Sequence, residues 1–360
     1  MPSADVIIAG AGIIGGSIAW RLAQQGISVQ LADTGRLGGQ ASWAGAGMLA
    51  PGSEVVAPSE WGRLALESWR EYGTFVKELE AESAVPIDYR VCGAIELALD
   101  DREAVELRNR SHAQAAIGIP STAASEAEIL SQIPSLAVRG FTARHYPKDA
   151  QVDPRHVTSA LGQACLRRNV TISEQTSVNR IQVAASGVTV HTAGDRWTAA
   201  TAVIAAGAWS SAIQVEVEGS ILPIPESYPI RGHLLGYDLP PGSLAPMLRC
   251  GHTYLLQRSN GLVIAGTSEE RVGFDPQLDP DTVDSIRRRA ERLLPEPLMG
   301  QHPGAWIGFR PATASLVPVL ESHAGGRLWL AYGHYRNGIL MAPATARVVA
   351  LAINASLRKD

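Results

Sequence analysis

The residues with the clearest chemical meaning lie near the start of the chain. An apolar segment runs into Gly10-Ala11-Gly12-Ile13-Ile14-Gly15, and Asp33 stands eighteen positions after Gly15. Glycines at this spacing allow a tight turn and close backbone approach to a pyrophosphate, and the following helix offers free N–H groups at its positive dipole end. A carboxylate about twenty residues further on can accept a ribose hydroxyl. The pattern predicts a dinucleotide site; the alternative is a βαβ turn that binds nothing.

A second junction of the same kind is expected near the end of the chain. Residues 328–331 predict a strand, and a helix is expected to begin at Pro343 and to run to residue 357. The loop between them is Tyr332-Gly333-His334-Tyr335-Arg336-Asn337-Gly338-Ile339. The N-terminus of such a helix would place a positive dipole against a cofactor that becomes negative on reduction.

The elements that position these junctions alternate between strand and helix. Val6, Ile7 and Ile8 predict a buried strand, after which apolar residues recur at helical spacing. The run 202–209 is apolar throughout, as expected of a strand buried on both faces. Further helices are predicted over 61–80, 154–169 and 280–293, and further strands over 27–32, 178–183 and 188–191.

Residues 221–272 have a different pattern, with short strand-like segments separated by turn residues, which predicts an antiparallel sheet. The predicted fold class is therefore α/β, with a Rossmann-like dinucleotide-binding domain and a second α+β domain, built on an antiparallel sheet, that binds substrate. The predicted boundaries are 1–85, 140–215 and 322–360 for the discontinuous cofactor domain, and 86–139 and 216–321 for the substrate domain.

Composition favours small-molecule chemistry. The 360 residues include 31 basic and 35 acidic ones, and the net charge of −4 supplies no general attraction for nucleic acid or an anionic membrane. No apolar run is expected to be long enough to cross a bilayer, and no signal peptide is expected. Cys92, Cys165 and Cys250 are too far apart for a redox or zinc motif. A cytoplasmic protein without a metal is the expectation.

Several further segments carry a resemblance to a known family. They are Ala46-Gly47-Met48-Leu49-Ala50-Pro51, Gly266-Thr267 with Gly273-Phe274-Asp275, Gly308-Phe309-Arg310-Pro311, and the loop from Gly333 to Leu340 with Ala342-Pro343-Ala344-Thr345. In this order they resemble the D-amino-acid oxidase superfamily of FAD oxidoreductases, most closely its glycine oxidase branch. The similarity extends over almost the whole chain and implies an FAD-binding domain of the glutathione-reductase type.

The resemblance implies FAD in an extended pose. The attachment is expected to be non-covalent, because none of the cysteines lies in the late segment where some relatives attach the flavin. The loop from His334 to Leu340 would wrap the isoalloxazine ring. The residues expected at the cofactor are Gly10, Gly12, Ile13, Ile14, Gly15, Asp33, Thr34, Ala41, Ser42, Ala46, Gly47, Met48, Val178, Gly207, His334, Tyr335, Arg336, Asn337, Gly338, Ile339 and Leu340.

An amino-acid substrate needs its carboxylate fixed, which a guanidinium and a phenol do well. The resemblance assigns these roles to Arg310 and Tyr254, makes Arg336 a second active-site arginine, and makes His252 a secondary candidate near the substrate. Simpler alternatives are an ion pair for Arg310, sheet packing for Tyr254, flavin geometry alone for Arg336 and a structural role for His252. No proton-abstracting side chain is required if the neutral amine transfers hydride.

The implied reaction is oxidative deamination of glycine or another small amine, with hydride passing to flavin N5 and O2 reoxidation giving H2O2. One alternative enzyme uses sarcosine, iminodiacetate or a D-amino acid with another acceptor; an NAD-dependent dehydrogenase and a non-catalytic flavin-binding subunit are two more. A thiamine-pathway role is a further implication, and oligomeric state stays open. Gln257, Ser268 and Ala314-Ser315-Leu316 depart from the family pattern and leave the pocket size open.

Overall fold

The structure is a computed structural model that describes residues 4–301 and 303–358. Its strands over these residues are β1 (Val6–Ala9), β2 (Val29–Ala32), β3 (Met48–Leu49), β4 (Tyr89–Arg90), β5 (Ala94–Ala98), β6 (Thr122–Ala124), β7 (Thr142–Tyr146), β8 (Ala150–Val152), β9 (Thr171–Ser173), β10 (Val178–Ala184), β11 (Gly187–Thr192), β12 (Arg196–Ala199), β13 (Thr201–Ile204), β14 (Gln214–Val217), β15 (Ser220–Ile221), β16 (Tyr228–Asp238), β17 (Met247–Cys250), β18 (Thr253–Gln257), β19 (Leu262–Gly266), β20 (Gly304–Ala312), β21 (Val319–His323) and β22 (Leu328–Tyr332).

The helices over the same residues are α1 (Ile13–Gln24), α2 (Ala41–Ala44), α3 (Glu60–Ser83), α4 (Asp101–Ala116), α5 (Glu126–Gln132), α6 (Pro154–Arg167), α7 (Pro280–Leu293), α8 (Pro295–Leu298) and α9 (Gly338–Leu357). Short 3-10 turns span Pro51–Ser53, Gly207–Ala212, Ala324–Gly326 and Tyr335–Asn337. The helices predicted over 61–80, 154–169 and 280–293 are confirmed as α3, α6 and α7.

The first sheet has six strands in the order β21-β22-β13-β1-β2-β9. All neighbours are parallel except β21 and β22. Strands from the start, the middle and the end of the chain therefore lie side by side, with their carboxyl ends at one edge. In parallel sheets of this kind, ligands bind at that edge.

The side chains of β1 alternate between two cores. Val6 and Ile8 pack with α1, α3, α6 and α9, whereas Ile7 and Ala9 pack against a five-stranded sheet of order β12-β11-β10-β14-β15. A strand covered on both faces has no polar side, which explains its apolar sequence. The α/β fold class with a Rossmann-like first domain is confirmed.

The predicted strand over 202–209 is confirmed only at its start. Strand β13 ends at Ile204, and Gly207 has φ +57° at the beginning of a 3-10 turn. The run is apolar beyond Ile204 because Ala205 and Ala208 are buried as well, not because the strand continues. Periodicity alone cannot separate these two causes.

The antiparallel sheet is larger than residues 221–272. It has eight strands in the order β20-β16-β19-β18-β17-β5-β7-β6, and only the pair β17–β5 is parallel. One face of this sheet forms a second core, on which α7 buries Ile286, Ala290 and Leu293. Helix α7 begins where Asp279 accepts the N–H of Asp281, with Pro280 at its first position.

The closing helix α9 begins at Gly338, so the prediction that it begins at Pro343 is wrong. Pro343 lies inside the helix and lacks the N–H that would bond the carbonyl four residues earlier. Leu340, Met341 and Ala342 are all buried in the first core, and this packing holds the turn before the proline in helical form. Propensity is outweighed here by tertiary contacts.

Helix α9 also corrects the expectation about apolar length. Residues Tyr335–Leu357 are long and apolar enough to cross a membrane by length and composition. Most of that stretch is buried inside the protein, where α9 packs against α1 and α3. A helix that is apolar on nearly all sides needs a core or a membrane around it, and the first core surrounds this one.

Sheet membership refines the predicted domain boundaries, which themselves remain a prediction. Strand β7 (Thr142–Tyr146) pairs with β5 in the eight-stranded sheet, although the boundary at 140 assigns it to the cofactor domain. At the other end, β21 (Val319–His323) pairs with β22, so the cofactor sheet begins before residue 322. Pairing partners distant in sequence decide these points, and a local pattern carries no information on them.

Candidate active site

A single cavity brings the two predicted junctions together. It has a volume of about 550 Å3 and lies between the carboxyl edge of the first sheet and one face of the eight-stranded sheet. The predicted residues that line it are Gly10, Gly12, Ile13, Ile14, Asp33, Thr34, Ala41, Ser42, Ala46, Gly47, Met48, Val178, Gly207, Tyr254, Arg310, His334, Tyr335, Arg336, Asn337, Gly338, Ile339 and Leu340.

Gly15 is the one predicted cofactor residue that does not line the cavity. A Cβ atom at Gly15 would lie 1.8 Å from the carbonyl oxygen of Gly10, and one at Gly10 would lie 2.3 Å from that of Ala205. These glycines let α1 and β13 pack closely on the turn after β1. Gly15 therefore shapes the site through packing, as the third glycine of such a motif does.

Backbone N–H groups of the first junction already have oxygen partners. The N–H of Ile13 donates to Ser42 Oγ at 3.0 Å. The Asp33 carboxylate accepts the N–H groups of Ala11 and Gly35, each at 2.7 Å, one on each oxygen. These contacts fix the carboxylate beside the turn, and each oxygen keeps a second lone pair for a ribose hydroxyl.

The second junction is buried. His334 is 2% exposed, and its Nε2 lies 3.1 Å from Thr345 Oγ1 on α9. Burial lowers the pKa of His334 to about 4, so the imidazole is neutral near pH 7. Tyr335 follows with φ +50°, and α9 then presents its N-terminus to the cavity through Gly338 and Ile339. This end of the cavity can hold a planar ring that gains negative charge.

Register in the eight-stranded sheet brings the substrate candidates to one face. Arg310 of β20 pairs with Ile230 of β16, and Tyr254 of β18 pairs with Gly266 of β19, which also pairs with Leu234 of β16. Paired residues share a face, and so do residues two apart on one strand. Arg310, Leu234 and Tyr254 therefore point the same way, into the cavity.

Two glycines of this face make room for those side chains. A Cβ atom at Gly232 would lie 2.3 Å from Nη1 of Arg310, and one at Gly266 would lie 2.3 Å from the ring of Tyr254. Sequence reasoning did not single out Gly232. A glycine inside a predicted strand is the available signal, because it often marks close approach of another group.

The Arg310 guanidinium is positioned but not neutralised. It donates to the carbonyl of Ser268 at 3.0 Å and to Thr267 Oγ1 at 2.7 Å. Among the described residues no carboxylate pairs with it, so its remaining N–H groups can bind an anionic ligand. Desolvation raises the pKa of the neighbouring Tyr254 phenol, against the effect of the nearby arginines, and the phenol is a neutral donor near pH 7.

Arg336 differs from Arg310 in its partners. Its Nη2 lies 3.1 Å from Glu54 and its Nη1 lies 3.1 Å from Glu269. These carboxylates raise the pKa of Arg336 although burial alone would lower it. Neither glutamate was predicted as a site residue, because each lies far from the arginine in sequence. The structure thus places two arginines at the substrate end with different availability.

His252 is not brought into the site. It lies exposed in the turn between β17 and β18 and is absent from the residues that line the cavity. The strand that carries Tyr254 begins only at Thr253, so His252 belongs to the hairpin turn rather than to the cavity face. From that position it has no contact with a substrate bound at Arg310.

Arg258 is a buried residue that sequence reasoning missed. It is 2% exposed and donates to the carbonyl of Val152 at 2.6 Å and to that of Ala46. A Cβ atom at Gly47 would lie 2.0 Å from the same Val152 carbonyl oxygen. Arg258 therefore fastens the cavity-lining segment around Gly47 to β8.

We expect Arg258→Met to weaken FAD binding about tenfold, because it removes charge-assisted hydrogen bonds that hold this segment. The measurement is the FAD dissociation constant from quenching of flavin fluorescence. Arg139→Met is the matched control, since Arg139 also donates to two carbonyls, those of Leu136 and Val138, but is exposed and outside the cavity. Equal FAD affinities for the two variants would contradict this role.

His334 should make the apoprotein sensitive to acid. Its pKa is about 4 in the folded protein against 6.5 in an unfolded chain, so only the unfolded state gains a proton between these values. This contribution to stability is complete above pH 6.5 and is lost as the pH falls towards 4, which amounts to about 2 kcal/mol at pH 5. We expect His334→Gln to unfold in urea with a smaller difference between pH 7.5 and pH 5.0 than the parent protein. The exposed His112→Gln is the control, and an unchanged difference in His334→Gln would refute the expectation.

Fold and site together define a class: an α/β oxidoreductase with a Rossmann-type dinucleotide site that faces a separate substrate-binding sheet. The comparisons agree. A family model described as FAD dependent oxidoreductase matches residues 5–352, and the chain belongs to that family. The predicted use of FAD is thereby confirmed, and the NAD-dependent alternative is set aside.

Within this family the chain is similar to glycine oxidases. It is 31% identical over 353 residues to the glycine oxidase of Geobacillus kaustophilus, covering 96% of this chain and 92% of that protein. The solved structure of a glycine oxidase from the same species superposes with a TM-score of 0.92 at 29% identity, covering 99% of this chain and 95% of that one. A ThiO/ThiG bifunctional protein of Synechocystis is 32% identical over 96% of this chain, which spans 51% of that protein.

Proposed function

We propose that the protein oxidises glycine or another small amino acid, with O2 as the acceptor and H2O2 as the second product. The observation that carries the proposal is the Arg310 guanidinium, which faces the shared cavity without a carboxylate partner among the described residues. A buried cation of this kind fits a ligand carboxylate. The similarity to glycine oxidases supports a small amino acid as the ligand.

The cavity fits FAD. Gly10, Gly47 and Gly308 lie where a Cβ atom would meet neighbouring atoms at 2.0 to 2.6 Å, so the walls are built from backbone and leave the space open. The first junction would hold the pyrophosphate and ribose through the region of Ile13 and Asp33, and the loop from His334 to Leu340 would hold the ring. None of the three cysteines lines the cavity, which supports non-covalent binding.

The side chains bind and orient the substrate. The fork of Arg310 would hold both carboxylate oxygens, and the neutral Tyr254 phenol would donate a further hydrogen bond. This fixes the α-carbon of the substrate relative to the buried ring site, which is where orientation lowers the barrier most. FAD, when bound, supplies the acceptor for a hydride from that carbon. No acid or base from the chain is needed for this step if the amine is neutral.

The test is a substrate panel under anaerobic conditions. The FAD-loaded protein is mixed with glycine, sarcosine, D-alanine, L-alanine or iminodiacetate, and loss of the flavin absorbance is followed before air is admitted and H2O2 is measured. Bleaching by glycine and peroxide formation after air are expected. Bleaching without peroxide would favour a dehydrogenase with another acceptor, and no bleaching by any amine would favour a non-catalytic flavin-binding subunit.

A thiamine-pathway role and a cytoplasmic location remain predictions. The similarity to the ThiO/ThiG bifunctional protein supports the former. Oligomeric state is open.

A further inference from the structure

The substrate end of the cavity holds two arginines, and only one is available to an anion. Arg310 has hydrogen bonds to neutral oxygens alone. Arg336 lies between two carboxylates, with 3.1 Å from Nη2 to Glu54 and 3.1 Å from Nη1 to Glu269. The four groups carry no net charge together, and a ligand with one carboxylate balances Arg310 only by adding its own.

We propose that Glu54 and Glu269 set the substrate specificity of this site by holding Arg336, so that the site accepts amines with one carboxylate and discriminates against those with a second anionic group. The inference rests on the proposed function, since it takes Arg310 as the carboxylate anchor. It assigns specificity to two residues that no sequence motif indicated.

The positions of the two glutamates support this division of roles. Glu54 lines the cavity beside Arg336, and Asn337 Nδ2 lies 3.5 Å from its second oxygen. The segment that carries Glu54 is held from behind, because the fully buried Gln114 donates to the carbonyls of Gly52 and Val55. Glu54 is therefore a fixed partner, which a ligand cannot easily displace.

Glu269 approaches Arg336 from outside the cavity. Its side chain is 44% exposed, and it follows the Thr267-Ser268 segment that holds Arg310. Glu269 also hydrogen-bonds Tyr335, which helps to raise the pKa of that phenol to about 12. A second anionic group on a ligand would meet a guanidinium already occupied on both sides, together with the two carboxylates. Such juxtaposition of like charges discriminates by repulsion.

Removing one of these charges should change the preference. In Glu269→Gln, Arg336 keeps only Glu54 as a charged partner, and one positive charge becomes available to the ligand. We expect a dicarboxylate to bind about tenfold more tightly relative to a monocarboxylate, the size expected for one close charge pair near a surface. Because Glu269 is exposed, folding should be unaffected.

The experiment measures binding without turnover. FAD-loaded protein is titrated with glycolate, a monocarboxylate, and with oxydiacetate, a dicarboxylate ether, and the shift of the visible flavin spectrum gives each dissociation constant. Glu78→Gln is the matched control: Glu78 pairs with Arg21 at 2.5 Å, is 43% exposed and lies outside the cavity. The double variant Glu269→Gln/Arg336→Met should lose the gain.

The outcomes separate the inference from the function on which it rests. A tenfold gain for oxydiacetate in Glu269→Gln, absent from Glu78→Gln and from the double variant, supports the inference. Equal shifts for both ligands, or no shift, overturn it while glycolate binding still supports the Arg310 anchor. If glycolate fails to perturb the flavin of the parent protein at any concentration, the anchor itself is wrong and the inference falls with it.

Discussion

Replacing Arg310 with methionine is expected to lower kcat/KM for the preferred amino acid roughly a thousandfold, because two charge-assisted hydrogen bonds to the carboxylate are lost together. The FAD dissociation constant should change by less than about threefold, since Arg310 lies on the substrate sheet rather than at either strand-to-helix junction. Steady-state peroxide formation and FAD titration measure the two quantities separately.

Lysine at the same position sharpens this result. Arg310→Lys keeps the charge but loses the planar fork, so we expect only a small part of the activity to return. Arg288→Met controls for the loss of one positive charge, because Arg288 is a 65% exposed residue of α7. Comparable losses of kcat/KM in Arg288→Met and Arg310→Met, or a large loss of FAD affinity in Arg310→Met, would argue against the role of Arg310 as the substrate anchor.

Replacing Gly232 with alanine should damage the substrate site while sparing the fold. The new methyl group would lie within 2.5 Å of three guanidinium atoms of Arg310, which is the flexible end of a long side chain. The guanidinium must therefore move, and displacement of a positioning group by about 1 Å costs on the order of a hundredfold in rate. We expect a hundredfold lower kcat/KM, with unchanged FAD affinity and a melting temperature within a few degrees of that of the parent protein.

Gly304→Ala is the control for Gly232→Ala. Gly304 lies on β20, opposite Gly236 of β16, and a Cβ atom there would meet nothing within 4 Å. Kinetics like those of the parent are expected from it. A Gly232→Ala protein with full activity would show that the observed arginine position is not needed for catalysis. A broadly unfolded Gly232→Ala protein would instead show that the backbone cannot absorb the methyl group.

The first junction was predictable because its information is local. Gly10 to Gly15, the apolar strand before them and Asp33 all lie within one βαβ unit, and the same short-range geometry recurs in many proteins. The order of motifs along the chain added the family and hence FAD. The helices α3, α6 and α7 were also predictable, since each carries an apolar face at helical spacing and a cap or proline at its start.

Other features were decided by contacts between segments far apart in sequence. The helix α9 passes through Pro343 because its first turn is buried against other helices. His252 falls in an exposed turn because the strand begins one residue later. The pairing of β7 with β5 extends the substrate sheet beyond residue 140. In each case a short sequence window is compatible with two structures, and the partner that selects one of them lies elsewhere in the chain.

The sequence by itself determined the chemical groups: the glycine turn, its acidic partner, the late Arg-Asn-Gly loop and the arginine and tyrosine of the substrate sheet. Only the tertiary structure decided how those groups differ from one another. Arg310 and Arg336 look equivalent in a motif, yet one bonds neutral oxygens and the other lies between Glu54 and Glu269. The physical reason is that charge acts over ångströms in space, and the glutamates that neutralise Arg336 are brought within that range by folding alone.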